Sequence, residues 1–161
     1  MKRAGLIVVL LVALIALSTA ATAQQRTGFY TTMTGAEEVP AATTPAYGTA
    51  SFLVEAGGNA LRYSLTVVSI TDVMMAHIHI GAPGQNGPVV LWLYPSAPPP
   101  RPIAGTTTGD IGAGVAAAAN LTGPLAGQPL SALLSALAAG NAYVNVHTVQ
   151  APGGLIRGQL R

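Results

Sequence analysis

Tyr47-Gly48-Thr49-Ala50-Ser51-Phe52-Leu53-Val54, then Glu55-Ala56-Gly57-Gly58-Asn59, then Ala60-Leu61-Arg62-Tyr63-Ser64-Leu65-Thr66-Val67-Val68 is the stretch that decides the fold. Both flanks carry β-branched and aromatic residues at alternating positions. Side chains on a strand point to opposite faces in turn, so alternation marks a half-buried strand. The Gly-Gly-Asn between them supplies the positive backbone angles of a tight turn. The stretch therefore reads as a β-hairpin, and the domain around it as a β domain.

The same reading extends outward. Phe29–Thr34, Met74–Ile80, Val89–Tyr94, Ala142–Thr148 and Leu155–Leu160 are further strands, bounded by glycine and proline. Thr106–Ile111 and Val115–Leu121 are weaker strands, the second rich in alanine. The segment 95–102 is too rich in proline for an interior strand and reads as a surface crossing. One segment departs from the pattern. Leu130, Leu133, Leu134, Leu137 and Ala138 repeat at helical spacing, with Pro129 before them and Gly140 after. The expected fold is all-β, an antiparallel sandwich or barrel with one short amphipathic helix near 129–139.

Half of the 161 residues are hydrophobic, 7% are charged, and cysteine is absent. Residues 1–23 read as a secretory signal peptide. Lys2 and Arg3 form the positive start, Ala4–Leu17 the apolar run, and Ala21-Thr22-Ala23 the small-residue cleavage pattern before Gln24. The apolar run falls short of the roughly 20 residues that span a bilayer. The expected product is one domain, 24–161, soluble and periplasmic or secreted, with no membrane attachment after signal removal. Its bases are Arg26, Arg62, Arg101, Arg157 and Arg161, and its acids are Glu37, Glu38, Glu55, Asp72 and Asp110. The formal charge of +2 thus belongs to the signal. A neutral domain without a basic cluster offers nothing to a phosphate backbone, which excludes nucleic acid as a partner. Without cysteine, stability has to come from packing and sheet hydrogen bonds.

The chemistry concentrates on three histidines, His77, His79 and His147. Alternation puts Met75, His77 and His79 on one face of their strand, and Tyr143, Asn145 and His147 on one face of theirs. If the two strands are neighbours with those faces aligned, the imidazoles converge. Neutral imidazole suits copper and zinc, and three histidines with an open position form a known zinc arrangement. Met33, Met74 and Met75 are available as soft donors. The alternative is a polar row on an exposed sheet face, bonded across the strand to Tyr or Asn. Other constellations are poor. No serine lies in a Gly-x-Ser-x-Gly elbow. Glu37-Glu38 reads as a solvated turn, the Gly81–Pro88 segment as a plain turn, and Arg157 as a sheet-edge cap or partner of an acid. No catalytic residue is assigned.

Three blocks resemble the CHRD (chordin-type) domain family. They are Thr34-Gly35-Ala36-Glu37-Glu38-Val39-Pro40, Ala76-His77-Ile78-His79 with Gly81–Val90, and Gly140–Thr148 with Pro152–Leu160. Together they run through nearly all of the chain after the signal. The resemblance implies an immunoglobulin-like β architecture and an exported, non-enzymatic binding module for an unknown extracytoplasmic protein or surface material. The three-histidine face is the candidate site. The second reading is a mononuclear copper- or zinc-binding protein for metal storage or transfer. Where the family usually has Glu before its last Ile-Arg-Gly, this chain has Leu155. His-x-His followed by Gly is also similar to the copper strand of Cu/Zn superoxide dismutases. Those sites need more histidines and a disulfide, so at most one ion fits here.

Overall fold

A computed structural model describes residues 27–161, so the segment 1–23 expected as a signal peptide, with its expected cleavage point, lies outside the described residues. Among the described residues there are seven strands and one α-helix. The strands are β1 Gly28–Thr34, β2 Tyr47–Val54, β3 Leu61–Ile80, β4 Val89–Tyr94, β5 Ile103–Ala116, β6 Ala142–Thr148 and β7 Ile156–Gln159. The helix, α1, spans Leu130–Ala138. Every strand pairing is antiparallel. No described helix is long and apolar enough to cross a membrane.

The hairpin forms as its sequence dictates, with Tyr47 opposite Val68 and Val54 opposite Leu61. The return strand, however, does not stop at Val68. It continues to Ile80, so the two separate strands expected there are one strand of 20 residues. The reason lies at its bend. Ser69 and Asp72 take positive φ angles of 56° and 54°, and the pairing with β5 slips there. Non-glycine residues enter that region reluctantly, so the bend needs external bonds. The Asp72 carboxylate accepts from the Gly105 N–H at 2.8 Å and from the Gln150 amide at 2.8 Å.

The bend closes the sheet into a barrel. Val73 pairs with Ile103 of β5 on one edge and with Thr148 of β6 on the other. The first half of β3 likewise lies between β2 and β5. One edge of β3 therefore carries β2 and then β6, and β1 and β7 complete the ring between them. The β1–β7 seam is close. A side chain at Gly158 would strike Thr31 Oγ1 and the Thr32 carbonyl, so only glycine fits there.

The barrel interior is apolar. In the second half of β3 and in β6, the inward residues are Ala76, Ile78, Val144 and Val146, all 0% exposed. Helix α1 adds Leu130, Leu133, Leu134 and Leu137, while Ala138, expected on the same face, is exposed in the last turn. Gly140 follows at φ 70°, the left-handed position that ends the helix. The two weaker strand predictions merge into β5, and residues 118–120 form a 3₁₀ turn. Leu155 packs against the apolar core.

Candidate metal centre

Strand β3 is paired with β6 in a register that sets Met75 opposite His147, His77 opposite Asn145 and His79 opposite Tyr143. Directly opposite residues share a face, so the condition for convergence is met. On the next strand Arg157 stands opposite Asn145, and on the other side Trp92 stands opposite His77. The outer face of this part of the barrel is thus a polar row running from Trp92 to Arg157.

That row is not exposed, contrary to the alternative of a solvated polar face. His77, His79 and His147 are 2%, 8% and 5% exposed. Loop residues roof them. His79 Nδ1 lies 2.8 Å from the Gly87 carbonyl, and His147 Nδ1 lies 2.9 Å from the Pro152 carbonyl. A carbonyl only accepts, so both Nδ1 atoms carry their ring's proton and both Nε2 atoms keep a lone pair. His77 Nδ1 then donates to His147 Nε2 at 3.1 Å. A backbone carbonyl on the far nitrogen is what orients metal-binding imidazoles in general.

One nitrogen from each ring can be chosen so that the three lie within 4.8 Å of one another. Ligands at about 2.0–2.1 Å from one tetrahedral zinc stand about 3.4 Å apart, so the widest pair of the set closes by up to about 1.4 Å on an ion. Burial pushes the imidazoles strongly toward their neutral, ligating form. His77 falls to about 3, through burial and then the charges of His147 and His79. His147 falls to about 4, mainly through burial, against the pull of its Pro152 bond. His79 shifts down for the same first reason.

Four buried polar atoms in this region have no partner: His77 Nε2, His79 Nε2, Asn145 Oδ1 and Glu38 Oε1. A buried polar atom without a partner costs about 1–3 kcal/mol. In the tautomers set above, His77 Nε2 and His79 Nε2 are lone-pair acceptors, and an ion held between the rings would satisfy both. Among the methionines, Met33 is 0% exposed in the apolar core, and Met75 is the register partner of His147.

Two expectations from the sequence are corrected. Glu37 is exposed, but Glu38 is only 6% exposed. Burial raises its carboxyl to about 7, against the opposing charge of Arg157. Arg157 does not cap an edge. It is 2% exposed, donates to the Gln85 carbonyl at 2.8 Å and to Asn86 Oδ1 at 3.1 Å, and lies 3.4 Å over the Tyr143 ring. The ion pair among the described residues is Arg62 with Glu55, not Arg157 with an acid. The Gly81–Pro88 segment is a turn as expected, but it also serves as part of the roof.

A family model described as the CHRD domain matches residues 29–160. No curated protein and no solved structure matches the chain.

Proposed function

Because the chain belongs to the CHRD-domain family, we propose that it is an exported, non-enzymatic binding module whose bound partner at the histidine face is one copper or zinc ion. The ligands are His77, His79 and His147. The observation that carries this reading is the convergence of three neutral, buried imidazoles. Two of them are held by backbone carbonyls on Nδ1; Nε2 of His79 has no other partner, and Nε2 of His147 exchanges its bond from His77 Nδ1 for the ion. Burial favours an ion over a macromolecule, because a protein or a surface cannot reach side chains that are at most 8% exposed. Storage or transfer suits a roofed site better than catalysis, which needs room for substrate at the open position. The finer fold we read as an immunoglobulin-like sandwich flattened from the barrel, with the β3 bend passing from one sheet to the other. The N-terminal pattern supports export to the periplasm or beyond.

The test is metal titration of the domain beside the triple variant His77→Ala, His79→Ala, His147→Ala. Trp92, the chain's one tryptophan, has its ring centroid 4.2 Å from that of His77 and reports the site by fluorescence. One ion per chain is expected for the parent and none for the variant. Equal, negligible affinity for copper and zinc in both proteins sinks the metal reading and leaves a module whose partner binds elsewhere.

A further inference from the structure

His79 owes its orientation to a loop, and the loop is held by groups that touch no ion. The loop runs from Gly81 to Pro88 between β3 and β4. At its start, the Gln159 amide donates to the Gly81 carbonyl at 2.9 Å, and the Gly81 N–H donates to the Asn141 carbonyl at 3.0 Å. In its middle, the Arg157 guanidinium donates to the Gln85 carbonyl and Asn86 Oδ1. The Asn86 amide in turn donates to the Val39 carbonyl at 2.7 Å. At its end, the Gly87 N–H donates to the Tyr143 hydroxyl at 3.0 Å, and the Gly87 carbonyl accepts from His79 Nδ1. Gly87 lies so close to the Ile80 carbonyl that no side chain fits there.

The same groups also stack. Arg157 covers one ring of a pile in which Tyr143 lies against His79, with centroids 4.9 Å apart and planes 10° apart. Tyr143 therefore acts on His79 twice, through its ring and through the hydroxyl that fixes Gly87. Arg157 acts twice as well, through the loop carbonyls and through Tyr143. Planar stacking with a forked set of donors is available to arginine and not to lysine.

We propose that Arg157 and Tyr143 are positioning residues for His79: by pinning the Gly81–Pro88 loop they hold the Gly87 carbonyl on Nδ1 and present Nε2, unprotonated, to the ion. The proposal rests on the metal reading above for its purpose, but the tautomer it asserts exists without metal. Removing such an outer partner from a metal-binding histidine costs 10–100-fold in affinity in general.

The experiment uses Arg157→Lys and Tyr143→Phe. The second keeps the ring and serves if the first does not fold. Long-range proton–nitrogen spectra of the metal-free proteins read each imidazole tautomer, and zinc titration reads affinity. In the parent, His79 is expected as a single species protonated on Nδ1. In the variants it becomes a mixture, while His147, held by Pro152, stays as it was. Zinc affinity falls at least about 10-fold. A His79 tautomer unchanged in a folded variant overturns the proposal, whatever zinc does. So does an equal disturbance of His79 and His147, which is the mark of general loosening. If the parent binds no zinc, the metal reading fails, and the tautomer result alone decides this one.

Discussion

Acidification from pH 7.5 to pH 5 is expected to weaken the fold, and the histidine face is the cause. His77 and His147 have folded-state values of about 3 and about 4, against 6.5 for a free imidazole. The unfolded chain therefore binds protons in a window where the folded chain does not. A depressed value contributes stability that is complete above 6.5 and is lost as pH falls toward 4. Each of these imidazoles costs about 2 kcal/mol by pH 5, so the pair costs about 4 kcal/mol. His79, lowered in the same direction, adds to the loss. Glu38 opposes it. Its carboxyl, raised to about 7, takes up a proton in the same window and returns about 2 kcal/mol. The net loss is at least about 2 kcal/mol, a large part of an ordinary domain's stability. Urea unfolding at the two pH values measures it. A stability that is flat or rises on acidification would mean that the imidazoles are solvated and that the roof is not closed. Bound zinc or copper should make the acid loss steeper, because protons and the ion compete for the same lone pairs.

The outline of this site was legible in the sequence, and its environment was not. Strand alternation placed Met75, His77 and His79 on one face and Asn145 and His147 on another, and the β3–β6 register aligned them. Alternation is local, so it survives into the structure. Burial of that face depends on loops, whose paths leave no periodic signal. Nothing in the spacing of Gly87 or Pro152 announced that their carbonyls would meet His79 and His147. The β3 bend was missed for a related reason. The strands expected from the sequence stop at Val68 and resume at Met74, yet Asp72 bonds to Gly105 and Gln150 keep the chain in the sheet through the corner. The helix was read correctly because four leucines at helical spacing are a strong local pattern, bounded by Pro129 and Gly140. Glu38 had no such mark. Two adjacent glutamates before Val-Pro look like solvent, and only the tertiary fold separates the exposed one from the buried one.

Glu38 supplies the second large effect, opposite in sign to the first. It sits against Gly154, where a side chain would meet Glu38 Oε1 at 2.5 Å and Asn145 Nδ2 at 2.7 Å. Gly154 has φ 127°, a conformation that disfavours other residues, so the position leaves the carboxyl its room. Because the folded value is about 7 and the free value 4.5, the contribution is complete below 4.5 and is lost as pH rises through 7. Glu38→Gln keeps the shape and removes the titration. Both proteins carry the same histidines, so the histidine contribution cancels in their difference. The variant's stability relative to the parent is expected to rise by about 2.5 kcal/mol between pH 5 and pH 8. In the variant, acidification from pH 7.5 to 5 then exposes the full loss of about 4 kcal/mol from the imidazole pair, without the offset. Chemical unfolding of both proteins across this range reads the difference directly. A difference that does not change with pH would place the carboxyl in water. A difference that falls as pH rises would mean that Arg157 holds it ionised, and that the raised value is wrong in sign.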